Sequence, residues 1–148
     1  MIVLDTNVLS EALRPVPELS VLDWLVNQPR ASLFITTVTR GEILYGIRLL
    51  ADGKRRRGLW DAARKIFDAD FADQVLSFDS DAADMYADIA ASRRTAGKPI
   101  SQFDAMIVAM ARSRGASLAT RNVKDFEDCG VDVINPWTVY KDTAKSPR

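Results

Sequence analysis

Short apolar runs recur along this chain, each followed by a stretch in which apolar residues return at helical spacing. Ile2-Val3-Leu4, Leu33-Phe34-Ile35-Thr36, Gln74 to Phe78, Ser117-Leu118-Ala119-Thr120 and Val131-Asp132-Val133-Ile134 read as strands. The runs without polar alternation suit a parallel sheet buried on both faces. Between them the spacing predicts helices: Val8 to Leu13, closed by Pro15 and Pro17; Glu18 to about Asn27, with Leu19, Val21, Leu22, Trp24 and Leu25 in its stripe; and one carrying Ile43, Leu44, Ile47 and Leu50. Leu59, Trp60, Ala63, Ile66 and Phe67 mark another. Asp79-Ser80-Asp81 caps a helix that runs to about Arg94 and is ended by Gly97 and Pro99. The last, containing Ala105 to Ala111, is apolar nearly all round, as a helix buried on several sides is. Strands alternating with helices in this way define an α/β fold with a parallel sheet of four to five strands.

With 148 residues, 47% of them hydrophobic, and no net formal charge, the chain suits a single domain with a proper core. No apolar stretch approaches the length of a membrane span, the start lacks the features of a secretory signal, and the lone Cys129 leaves no internal disulfide. A cytoplasmic protein is therefore expected. More restrictive is the absence of histidine. It rules out Ser-His-Asp and Cys-His nucleophilic sites and histidine acid–base catalysis, and it disfavours zinc. Any hydrolytic site must rest on carboxylates, which select hard cations such as Mg²⁺ or Mn²⁺. The run Lys54-Arg55-Arg56-Arg57 is either a local phosphate-holding patch or a solvated loop between helices.

Several acids fall at element boundaries. Asp5 stops the first strand ahead of Thr6 and Asn7, both good N-cap residues, so it either helps that turn or faces the crevice beyond the strand ends. Glu42 stands in the first turn of its helix, where Thr39-x-x-Glu42 fits a capping box. Asp104, after Ser101, occupies the first turn of the last helix, where the dipole favours an anion by about 0.3–1 kcal/mol. Arg121, Asn122 and Asp125 follow the fourth strand. Helices of a parallel sheet run antiparallel to its strands, so helix N-termini and strand C-termini share one edge, and all these residues fall on it. Two carboxylates about 4 Å apart repel by roughly 4 kcal/mol at an effective dielectric of 20, a cost that a divalent cation removes. The acids thus point to a Mg²⁺ or Mn²⁺ pocket with a phosphodiester as its substrate.

Ile2-Val3-Leu4-Asp5-Thr6-Asn7-Val8, the helix carrying Glu42, the run Gly97 to Ala111 centred on Asp104, and Leu118-Ala119-Thr120-Arg121-Asn122 together resemble the PIN-domain family, above all its bacterial VapC/FitB-type toxins. The likeness spans about residues 1 to 137, with the motifs in family order and Asn135-Pro136-Trp137 in the manner of the FitB branch; residues 138 to 148 read as a polar tail. The resemblance implies a three-layer α/β/α PIN-like domain. It also implies a Mg²⁺-dependent endoribonuclease, with Mn²⁺ as an alternative, that is the toxin of a type II toxin–antitoxin pair. Such a toxin is neutralised by a small DNA-binding antitoxin and is homodimeric within that complex. By the same likeness Asp5 and Asp104 are the principal metal ligands and Glu42 the third acid. Some relatives carry Asp at the position of Asn122; here the nearest acid is Asp125, which either substitutes as a ligand or leaves Asn122 to bind water. Thr6 and Thr120 are expected to orient ligands or water. Arg121 either holds a substrate phosphate or forms an ordinary surface ion pair.

Two other readings explain less of the chain. A phosphoryl-transfer domain with Asp5 as nucleophile lacks the second Asp that haloacid-dehalogenase-like enzymes want at the position of Asn7. A catalytically degenerate PIN-like module, acting only through its antitoxin/DNA complex, leaves the repulsion among Asp5, Glu42 and Asp104 without a use.

Overall fold

Five short strands, β1 (Ile2–Leu4), β2 (Leu33–Thr36), β3 (Val75–Leu76), β4 (Ser117–Ala119) and β5 (Val133–Ile134), pair in parallel in the order β3-β2-β1-β4-β5. Among the described residues, six α-helices flank them in a three-layer α/β/α arrangement: α1 (Thr6–Ala12), α2 (Leu19–Asn27), α3 (Thr37–Arg48), α4 (Lys54–Lys65), α5 (Ser80–Thr95) and α6 (Gln102–Ser113). The computed structural model describes residues 1–140. Among these, no helix is long and apolar enough to cross a membrane.

Both faces of the sheet are covered, which is why its strands lack polar alternation. Val3, Phe34, Leu76, Leu118 and Val133 pack in the cluster shared with α5 and α6, whereas Leu4, Leu33, Ile35, Ala119 and Ile134 pack with residues of α1, α2, α3 and α4. Period-two side-chain direction sends neighbours to opposite layers. Ile107, Val108, Ala109, Met110 and Ala111 of α6 are all buried, in keeping with its apolar sequence. Each large apolar side chain removed from water in this way stabilises the fold by about 1.5–3 kcal/mol.

Several elements depart from the sequence expectation. β3 and β5 are two residues each. Gln74, expected to open the third strand, instead donates its side-chain amide to the carbonyls of Arg30 and Leu33, at 2.8 and 2.6 Å. α1 begins at Thr6 because Asp5 itself is the N-cap. α3 begins earlier than the capping-box reading requires: Thr36 is its N-cap and accepts the Thr39 N–H at 3.1 Å. Thr39-x-x-Glu42 is therefore not the capping box, and Glu42 stands in the second turn with its carboxylate free for other work. α4 passes into a π-helical turn at Ile66–Asp70 that the spacing does not reveal. At the end of α5 the expectation holds, since Gly97 takes φ +74° and the Lys98 N–H reaches back to the Arg93 carbonyl at 2.9 Å. The polar tail does not start where expected: Val139 packs against the second cluster, and Asn27 donates to the Tyr140 hydroxyl at 3.0 Å. Residues 141–148 of that expected tail lie outside the described residues.

Strand order also places the site. After β1 the chain builds β2 and β3 on one side and then returns to lay β4 and β5 on the other. The order reverses between β1 and β4, and a crevice opens beyond their C-terminal ends.

Candidate acidic active site

Asp5 leaves β1 at this crevice, with its backbone N–H tied to the Ala119 carbonyl at 2.9 Å. Its side chain is 4% exposed. One carboxylate oxygen accepts the Thr6 N–H at 2.8 Å and the other accepts the Thr120 hydroxyl at 2.7 Å. Capping is therefore real, yet it occupies only one oxygen. Burial pushes the Asp5 carboxyl up to about 6; the hydrogen bonds from Thr120 and Thr6 offset that in part, and the charges of Asp104 and Glu42 add to it.

Glu42 and Asp104 line the same cleft, a concavity of about 480 Å³ whose lining also includes Thr6, Asn7, Arg121, Asn122 and Trp137. Glu42 arrives from α3 on a relay of hydroxyls. Thr6 donates to Glu42 Oε1 at 2.8 Å, Thr6 and Thr39 hydroxyls meet at 2.9 Å, and Thr36 donates to Thr39 at 3.4 Å. Because the single Thr6 proton goes to Glu42, Thr39 must be the donor toward Thr6. The relay thus runs from Thr36 through Thr39 and Thr6 and ends on the carboxylate. Asp104 stands half-buried in the first turn of α6, where its N–H is capped by Ser101 Oγ at 3.3 Å. Burial raises its carboxyl above the ordinary range; the Ser101 hydrogen bond works against this and the charge of Asp125 with it.

The remaining expected residues divide. Thr120 is fully buried and central: besides donating to Asp5, it accepts from Asn7 Nδ2 at 3.2 Å and from the Asn122 N–H at 3.1 Å. Asn122 lines the cleft, whereas Asp125, in the 3₁₀ turn Val123–Phe126, is exposed and does not. Its influence on the site is through its charge at Asp104. Arg121 lies on the rim with its guanidinium 5.2 Å over the Trp137 ring. It forms no ion pair among the described residues.

Five residues that line the cleft, Asn7, Ser10, Glu11, Arg14 and Trp137, were missed from the sequence as site residues. Asn7 holds Thr120 through its amide and receives the Arg121 N–H on Oδ1 at 3.4 Å. Glu11 is buried at the cleft, and Arg14 pairs with it at 3.1 Å. Burial alone would raise the Glu11 carboxyl, but the Glu18 N–H, Arg14 and the charge of Arg121 together hold it below the ordinary glutamate range. A signal existed: Asn7, Ser10, Glu11 and Arg14 form a polar stripe at helical spacing, on a helix whose other face is apolar.

The donors at this site are carboxylate, hydroxyl and amide oxygens, the set that hard cations take. Among the described residues no three His, Cys, Asp or Glu side chains are gathered as a ready metal cluster. That still fits Mg²⁺, which is usually bound through one or two carboxylates and completes its shell with water and substrate phosphates.

An α/β/α domain with acids converging at its strand-order reversal is the architecture of the PIN domain, whose family model matches residues 2–130. The chain belongs to that family. It is 42% identical over 137 residues to the plasmid stability protein StbB of Pseudomonas syringae pv. tomato, covering 93% of this chain and 99% of the relative. It is 39% identical over 137 residues to the VapC ribonuclease Y4jK of Sinorhizobium fredii, covering 93% and 98%. Among solved structures, FitAB bound to the IR36 DNA fragment superposes with a TM-score of 0.87 at 36% identity, over 93% of this chain and 96% of that one.

Proposed function

We propose that this protein is the toxin of a VapBC/FitAB-type toxin–antitoxin system and acts as a Mg²⁺-dependent endoribonuclease. The observation that carries the reading is the buried Asp5 carboxyl, held between Thr6 and Thr120, with Glu42 and Asp104 acting on it across one cleft. The similarity to a VapC ribonuclease and to the toxin half of FitAB supports it. A small DNA-binding antitoxin as partner, a homodimer within that complex and a cytoplasmic setting belong to the same reading.

Asp5 and Asp104, with Glu42, are the residues to hold Mg²⁺ or Mn²⁺. Such a cation, when bound, lowers the pKa of water and neutralises charge developing on a phosphodiester. The chain's own groups do the rest. Thr120 and the Thr6 N–H fix both oxygens of Asp5, and the threonine relay fixes Glu42. In this reading Arg121, braced on Trp137 at the rim, holds a substrate phosphate. Glu11 keeps Arg14 turned to the same rim.

The test is cleavage of a mixed RNA pool by the purified chain freed of antitoxin, in Mg²⁺, in Mn²⁺ and in EDTA, beside Asp5→Ala. Cleavage that requires both a divalent cation and Asp5 is expected. A second reading, the inactive antitoxin-binding module, is favoured by one observation: Asn122 rather than an acid lines the cleft, and Asp125 is not among the lining residues. Folded protein that binds its antitoxin and cleaves no RNA in either metal would establish that module instead.

A further inference from the structure

We propose that the basic corner between α3 and α4 is the surface that holds the RNA strand beyond the scissile position; this rests on the nuclease reading above. The acid cleft repels a phosphate backbone, so attraction for RNA has to come from cations outside it. In residues 48–61 the chain sets Arg48, Lys54, Arg55, Arg56 and Arg57 against only Asp52 and Asp61, although its total formal charge is zero. Arg57 approaches Asp52 at 3.8 Å with both side chains largely exposed, while Lys54, Arg55 and Arg56 form no ion pair among the described residues. Three of these cations stand in the first turn of α4, which has no acid and no side-chain cap. The helix dipole disfavours positive charge there, so the stability of α4 does not explain them.

The corner is shaped as well as charged. Arg48 lies with its guanidinium 4.2 Å over the Trp60 ring, and with Arg56, Arg57 and the two acids it lines a concavity of about 410 Å³. Between it and the acids lies a groove with cations of its own. Arg14 lines both the acid cleft and the adjoining groove, and Arg55 lines that groove from α4. Along α3, Arg48 is six residues beyond Glu42, about 9 Å at 1.5 Å per residue, roughly three stacked nucleotides at about 3.4 Å each. A strand with one phosphate at Asp5 and Glu42 has Arg14 and Arg55 along the adjoining groove, and Arg56, next to Arg55 on α4, opens onto the corner that Arg48 lines. The floor of the groove is apolar, with Leu13, Ile43 and Ile47, and would also suit a peptide. The excess of unpaired cations favours the polyanion.

The experiment measures binding of a fluorescein-labelled single-stranded RNA 12-mer of mixed sequence to the full chain, in EDTA so that no turnover occurs, over a NaCl series. Each phosphate contact on a single strand contributes about 0.7 to the slope of log affinity against log salt. Arg55→Gln/Arg56→Gln is expected to flatten the slope by about 1.4, which is roughly 25-fold weaker binding at about 0.1 M salt if the two proteins converge near 1 M. Arg55→Lys/Arg56→Lys should restore the slope. Metal-dependent cleavage of the RNA pool is followed in parallel for each protein. A wild type that cleaves, with a slope unchanged in the glutamine variant, overturns the proposal, leaves the corner to a protein partner and spares the nuclease reading. A slope flattened in the glutamine variant, with a wild type that binds but never cleaves, supports the surface and defeats the nuclease reading. No measurable RNA binding by the wild type overturns the proposal outright.

Discussion

Asp5 is where protonation and cation binding meet. Its carboxyl titrates near 6 in the folded chain against an ordinary 3.8. Below about pH 3.8 it is neutral in folded and unfolded chains alike and carries no penalty. As pH rises through 6 the unfolded chain ionises first, and the metal-free fold loses up to about 3 kcal/mol. Urea unfolding in EDTA should show this loss between pH 4 and 7.5, and Asp5→Asn should remove that part of the slope; an unaltered slope in the variant defeats the account. Mg²⁺ or Mn²⁺ should raise the melting temperature of the wild type at pH 7, by mass action on the folded state, and leave Asp5→Asn unmoved. Thr120 is the second residue on which the site turns. Thr120→Val keeps the shape but removes the donor to Asp5 and the acceptor for Asn7 and Asn122, so it should cost about 1–3 kcal/mol of stability. RNA cleavage should fall roughly 10- to 100-fold, as for other groups that orient metal ligands.

Helix α3 shows how an element's start decides the task of a residue further along. With Thr36 as cap, Glu42 is released from capping and receives the Thr6 hydroxyl instead. Thr36→Ala should therefore destabilise the protein by about 0.5–2 kcal/mol. Glu42→Gln still offers an oxygen to Thr6, and should leave the unfolding midpoint almost unchanged while reducing metal-dependent cleavage. Cleavage by Glu42→Gln at the wild-type rate would show that this carboxylate has no part in the metal-dependent reaction. The element boundaries legible in the sequence were those marked by local chemistry, such as Gly97 and Pro99 after α5 and Ser101 before α6. At α3 three threonines compete for the cap, at positions 36, 37 and 39, and only packing shows that Thr39 is buried inside the helix.

Two buried clusters lie on opposite faces of a single sheet that both share, so the domain should unfold as one unit. Ile107→Ala removes a fully buried side chain from one cluster and should cost about 2–5 kcal/mol. Val21→Ala trims the other. Because the two sites share no partners, their effects should add to within about 0.5 kcal/mol, in a single denaturant transition followed by both fluorescence and circular dichroism. Separate transitions, or strong non-additivity, would show that the layers are not coupled as the sheet requires.

The sequence determined the class of fold, the exclusion of histidine chemistry and the set of acids, because these rest on local rules. Unalternating runs such as Ile2-Val3-Leu4 must be buried on both faces, an acid after a strand or in a first turn lies at one edge, and a residue type that is absent cannot act. Tertiary structure decided which acids meet and what holds them. Strand order β3-β2-β1-β4-β5 puts Thr120 against Asp5, 115 residues away, and α1 against α3 puts Thr6 on Glu42, 36 residues away. It also left Asp125 exposed and outside the cleft lining while bringing Asn7, Glu11 and Arg14 into it. Spacing along a chain fixes the direction of a side chain relative to its own helix or strand; which neighbour it meets depends on how those elements cross, and no local pattern carries that.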